Sequence, residues 1–155
     1  MKDTTFLNEV HIEYPDDFSE MNGDEIRRYF AGDMLRWGAR SSEKHIILSV
    51  GKTKTSLMSM LLNAKDVLSG AEITLSRGLK DYKRTEEFKT ELSGITAEGI
   101  RFEYTADDKN VRQYSEMYVV KVKCSFYTVH CISWLSDADK YSALFSEFRQ
   151  SIKFV

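Results

Sequence analysis

Gly51-Lys52-Thr53 stands between a β-rich run and a helical one, the place a phosphate-binding loop occupies. That loop needs a second glycine five residues earlier, so that the backbone can wrap a phosphate. Position 46 is Ile46, and Lys54 and Thr55 still precede the helix. The segment therefore reads as a polar strand-to-helix connection. The histidines are His11, His45 and His130, none at the His-x-x-x-His spacing of a metal site, and Cys124 and Cys131 form no Cys-x-x-Cys pair. No metal site is expected. His130 shares a strand face with Phe126, Thr128, Ile132 and Trp134, which fits a hydrogen-bonded structural histidine. A nucleophile would need Ser49 near His45, or Cys131 beside His130. Adjacent strand residues point to opposite faces, so the second pair cannot form. No Gly-x-Ser-x-Gly elbow is present, and Cys131 reads as packing. The acidic pairs Asp16-Asp17, Glu86-Glu87 and Asp107-Asp108 fall in turns or exposed edges, where solvated charge is the expectation. No catalytic residue and no cofactor is expected.

The aromatic residues carry more information. The second half holds Tyr104, Tyr114, Tyr118, Phe126, Tyr127 and Trp134. Most belong in a core. Tyrosines on a sheet face left uncovered would form a patch suited to a protein or peptide.

The elements that position these residues follow from periodicity. Val10, Ile12 and Tyr14 alternate with polar residues as in a half-buried strand, ended by the turn Pro15-Asp16-Asp17. Asn22 or Asp24 caps a short helix with Ile26, Tyr29, Phe30 and Met34 on one face. Leu35–Arg40 and His45–Val50 form a hairpin across Ser41–Lys44. From Ser56, Leu57, Leu61, Ala64, Leu68, Ala71, Leu75 and Leu79 mark a long amphipathic helix, or two broken near Gly70, with a Schellman-type stop at Arg77-Gly78-Leu79. Four strands follow: Tyr82–Leu92, a strand around Ile100, Phe102 and Tyr104, then Tyr114–Val122 and Phe126–Trp134. Gly94, the polar loop 106–110 and Lys123-Cys124-Ser125 connect them. Ser136 or Asp137 caps a last helix whose stripe is Tyr141, Leu144, Phe145, Phe148 and Ile152. Sequential strands neighbour one another, so the fold class is α+β, a three-layer αβα sandwich around an antiparallel meander sheet. An N-terminal strand, a short helix and a hairpin precede it, with a long middle helix and a C-terminal helix as cover.

At 155 residues the chain makes one domain, 1–155. A net charge of -2 gives no basic surplus, which argues against nucleic acid as partner. On one strand the seven-residue step from Cys124 to Cys131 spans roughly 23 Å, beyond disulfide reach. Two free thiols fit a reducing compartment. Met1-Lys2-Asp3-Thr4-Thr5 has no apolar leader region, and no run approaches a membrane span. The expectation is a cytoplasmic protein.

Short motifs along nearly the whole chain resemble one superfamily. Val10-His11-Ile12-Glu13-Tyr14-Pro15-Asp16-Asp17-Phe18 looks like the opening strand and turn of PsbP/DcrB-like proteins. The Trp37-Gly38-Ala39-Arg40 run with Ile46–Val50 is similar to the hairpin of small clostridial members. Tyr118–Val122 followed by Phe126–His130 resembles the closing hairpin, although Lys123-Cys124 stands where relatives often have Gly-Gly. The resemblance implies an αβα sandwich shared with a Ran-binding import factor and with Eag-type secretion chaperones. It implies bacterial origin and a non-enzymatic adaptor, accessory or chaperone-like role, and supplies no catalytic set.

The first reading is thus a protein-interaction module of unidentified partner, with self-association into a homodimer allowed. Its expected surface is Trp37, Arg40 and His45 on the hairpin, with Tyr104 and Tyr118 on the sheet; Trp and Arg are favoured anchor types. The second is a small-molecule or lipid-binding domain with a pocket between sheet and helix. The third is a hydrolase or transferase with a dispersed site.

Overall fold

The computed structural model describes all residues except 33, 55 and 107–109. The acidic pair Asp107-Asp108, Thr55 and the centre of the polar loop 106–110 therefore lie outside the described residues.

In chain order the elements begin with β1 (Lys2–Phe6), β2 (Val10–Tyr14), β3 (Ser19–Glu20) and α1 (Gly23–Tyr29). The hairpin β4 (Leu35–Ser41) and β5 (Ile46–Lys52) leads to α2 (Leu57–Met60) and α3 (Ala64–Gly78). The long strands are β6 (Lys80–Leu92), β7 (Ile95–Thr105), β8 (Arg112–Val122) and β9 (Ser125–Trp134). A 3₁₀ turn (Leu135–Asp137), α4 (Ser142–Ser151) and β10 (Lys153–Phe154) close the chain.

The expected α+β sandwich is present. Its centre is a seven-stranded antiparallel sheet in the order β3-β4-β5-β9-β8-β7-β6. The meander β6–β9 supplies four of these strands, and β9 pairs with β5, so the β4–β5 hairpin extends the sheet on the far side. Residues alternate faces along each strand. On one face Trp37, Leu48, Val50, Tyr118, Val120, Val129 and Cys131 pack with Phe145, Phe148 and Ile152 at the C-terminal helix. On the other, Ile100, Phe102, Met117, Val119 and Phe126 pack against Leu68 of α3. These two cores fix which side chains are left for function.

Several boundaries differ from expectation for identifiable reasons. The strand Val10–Tyr14 does not join the central sheet. It is the middle of a second, three-stranded sheet, β1-β2-β10, lying over the α4 face. The polar sequence Lys-Asp-Thr-Thr-Phe hid β1, whose first four residues lack buried side chains. The leucine-spaced segment breaks at Asn63, and Gly70 lies inside α3. Asn63 Oδ1 accepts from the Asp66 N–H at 2.9 Å while Asp66 Oδ2 accepts from the Asn63 N–H at 3.0 Å, a reciprocal box that restarts the helix. No Schellman turn forms: Leu79 is extended, and its N–H donates to the Leu75 carbonyl. Ser136 and Asp137 belong to the 3₁₀ turn, so neither caps α4, whose N-cap position is Tyr141. Asn22 caps α1 with Glu25 returning the bond.

Candidate functional site

The five residues expected to form a surface do not share one. Trp37 is 8% exposed, and its ring lies against Tyr14 at 5.3 Å and Phe148 at 6.3 Å between centroids. Tyr118 is 1% exposed in the same core. Both correct the expectation: inward positions on β4 and β8 carry them under the small sheet and α4. Arg40, an odd number of residues from Trp37, lies on the opposite face of β4 and pairs with Glu25 at 2.7 Å. Tyr104 is partly buried beside Phe102, at 6.0 Å, in the α3-side core. His45 is exposed at the end of the hairpin loop with φ +56°, stacked on Trp134 at 3.7 Å. Only His45 is freely accessible among the five.

Two polar clusters sit on the two faces of the sheet. On the α4 face, the buried Glu116 carboxylate accepts from Tyr114 Oη at 2.5 Å, Tyr118 Oη at 2.9 Å and an Arg149 guanidinium N–H. Burial, then the neighbouring carboxylate, pushes the two phenols' pKa well above the ordinary tyrosine value. This carboxylate is fully engaged and closed to solvent, so it holds α4 to the sheet. On the other face, Arg36 reaches Ser49 Oγ at 3.1 Å and His130 Nδ1 at 3.5 Å. His130 is buried with Nε2 lacking a hydrogen-bond partner among the described residues. Burial, helped by the Arg36 charge, pushes its pKa down to about 3, so the imidazole is neutral at ordinary pH. Phe30 stacks on it at 5.6 Å. Cys131, on the same strand, faces the α4 core, as its alternation with His130 requires.

Two open clefts border these elements. One, about 330 Å³, is lined by Asp17, Glu20, Glu25, Arg40, Ser42 and Glu43 and is polar. The other, about 410 Å³, lies between α1 and β4 among Ile26, Phe30, Met34, Leu35 and Arg36. Among the described residues, no group of three or more His, Cys, Asp or Glu side chains is arranged to hold a metal ion. Among the described residues, no helix is long and apolar enough to cross a membrane.

The largest apolar exposure is at α2. Leu57, Met58 and Leu61 are 85%, 77% and 86% exposed, and Met60 and Leu62 also reach solvent. The segment is short but fixed. Ser56 caps it through the Ser59 N–H at 3.1 Å, and Lys121 Nζ donates to the carbonyls of Met60 at 3.1 Å and Leu62 at 2.7 Å. These leucines read as the first rungs of a buried stripe. The Asn63-Ala64-Lys65-Asp66 box ends that stripe's register, and it is the one signal in the sequence that separates Leu57 and Leu61 from Leu68. Arg36 escaped notice because nothing local marks a strand arginine as lacking an acidic partner.

No protein-family model matches the chain, and no curated protein matches it in sequence. Solved structures do match in shape. The cyanobacterial PsbP of Synechocystis sp. PCC 6803 superposes with a TM-score of 0.70 at 13% identity, covering 99% of this chain and 92% of its own. PA94 of Pseudomonas aeruginosa, a protein of unknown function, gives 0.61 at 8% identity over 97% and 94%. LpqN of Mycobacterium tuberculosis, involved in cell envelope biogenesis, gives 0.58 at 12% identity over 94% and 83%. At such identities the likeness concerns backbone arrangement, and on that ground the chain has a PsbP-like fold.

Proposed function

We propose that this chain is a non-catalytic protein-interaction module, an accessory or adaptor factor of the bacterial cytoplasm. The observation that carries this reading is the α2 knuckle: five large apolar side chains turned outward on one pinned segment. Soluble monomers rarely leave contiguous apolar surface uncovered unless a partner covers it. The unpaired thiols Cys124 and Cys131 support a reducing compartment. A partner groove would take Leu57, Met58 and Leu61 as anchors, with Lys123 on the neighbouring exposed turn.

The test compares the wild-type chain with a Leu57→Glu/Leu61→Glu variant as immobilised baits in host extract. Proteins retained by wild type and released by the variant, with the variant's circular dichroism unchanged, support the module. Retention that ignores these two side chains refutes it.

A further inference from the structure

Five arginines are partly buried: Arg36, Arg40, Arg101, Arg112 and Arg149. Four pair with carboxylates, namely Arg40 with Glu25, Arg101 with Glu86, Arg112 with Glu103 and Arg149 with Glu116. Arg36 has no carboxylate among the described residues. Its Nη1 meets Ser49 Oγ and His130 Nδ1, and its Nη2 meets only Met34 Sδ at 3.5 Å, a weak acceptor. The guanidinium lies over the Phe30 ring, 4.1 Å from its centroid. Burial lowers its pKa to about 10, and no neighbouring charge among the described residues offsets that. Keeping a desolvated cation without an anion is costly.

The surroundings are shaped to hold it there. A Cβ at Gly51 would overlap Met34 Sδ and come within 3.4 Å of Arg36 Cζ, so the glycine clears the path across β5. Neutral His130 accepts from Arg36 through Nδ1 and adds no competing charge. Ser49 Oγ accepts from Arg36 and donates its own O–H to the Trp37 carbonyl at 2.9 Å. Beside the guanidinium lies the cleft of about 410 Å³ walled by Ile26, Phe30, Met34 and Leu35. A planar cation with unused donors, set at one side of an apolar cleft, matches a carboxylate in geometry as well as charge.

We propose that the cleft between α1 and β4 binds a carboxylate carried on an apolar body, with Arg36 taking the carboxylate and Ile26, Phe30 and Leu35 the apolar part. Two sources share this chemistry, a free amphiphilic acid and the C-terminus of a peptide ending in an apolar residue. The site is separate from the α2 knuckle and stands without it.

The experiment titrates the full chain with four probes followed by heteronuclear NMR: octanoate, 1-octanol, an acetylated tetrapeptide ending in free leucine, and its C-terminal amide. At least one carboxylate should bind saturably, shifting the amides of Leu35 and Arg36 and the His130 ring nitrogens, and about tenfold or more tighter than its uncharged counterpart, as a charge-assisted bond requires. The tighter of the two acids names the source. Arg36→Met should abolish that difference between acid and uncharged probe. Leu35→Glu, at an exposed wall position that leaves the core untouched, should weaken the acid through like charge. No saturable binding of either acid, equal binding of acid and uncharged probe, or wild-type affinity in both variants would overturn the site.

Discussion

Tyr118 and Glu116 project from the same face of β8, two residues apart, and the phenol donates to the carboxylate at 2.9 Å inside the core. Tyr114 approaches from the other side on the same strand, and Arg149 reaches over from α4. Removing the carboxylate strands a buried cation. Glu116→Ala should therefore cost about 3–5 kcal/mol, and Arg149→Met less, because two phenols still satisfy the carboxylate. Urea unfolding of the three chains checks the order. Equal, small losses would show that solvent reaches this cluster.

Six of the eight tyrosines, Tyr14, Tyr82, Tyr104, Tyr114, Tyr118 and Tyr127, have pKa values raised above the ordinary value, with burial the leading cause in each. Tyr104 is pushed up to about 12. Above about pH 10 the unfolded chain gives up these protons and the folded chain keeps them, so stability falls as pH rises. Phenolate absorbance should appear together with loss of near-ultraviolet circular dichroism. Full phenolate absorbance from an intact fold would contradict the burial of these hydroxyls.

His130 works in the opposite direction. Its native pKa is about 3, against roughly 6.5 in an unfolded chain. Its contribution is complete above pH 6.5 and declines as pH falls toward 3, because the unfolded chain binds the proton first. The slope from this group is about 1.4 kcal/mol per pH unit. His130→Asn should be less stable than wild type at pH 7, and the gap should narrow at pH 5. A gap independent of pH would mean that the imidazole charges in the folded state.

The start of α3 and its interior should respond oppositely. Asn63→Ala removes the cap that divides α2 from α3 and should cost about 1 kcal/mol. Gly70 lies in α3 with nothing within 4 Å of an added Cβ. Gly70→Ala should stabilise by about 0.5–1 kcal/mol. Thermal melts of both variants suffice, and a destabilised Gly70→Ala would place a neighbour where the fold shows open space.

The long strands were legible because β7, β8 and β9 are rich in β-branched and aromatic residues between polar turns, although both faces of β8 and β9 are buried and take in the polar Glu116 and His130. The β4–β5 hairpin was legible from its four-residue polar loop, but His45 moves from strand to turn with its positive φ, Ser41 joins β4, and Gly51 and Lys52 extend β5 instead of forming a connection. The small sheet was not, since β1 has four polar residues and β10 only two residues in all. Site residues fared worse for a physical reason. Strand alternation says that Trp37 and Arg40 face opposite ways, but not which way is in. That depended on β2 and α4 covering one face completely while α3 covered part of the other, a choice made by contacts distant in sequence. Leu57 and Leu61 shared the period of Leu68 but not its neighbour, and periodicity records spacing rather than what stands opposite.

One strand of the central sheet has a further consequence. β6 runs for thirteen residues along the outer border, with eight charged side chains and two register shifts against β7, between Lys80 and Lys83 and between Arg84 and Glu86. A straight, neutral border of that length would recruit strands from other molecules. Here an incoming strand would meet interrupted hydrogen-bond spacing and a dense mixture of both charges. Concentrated solutions of this protein are thus guarded against fibril growth from that side.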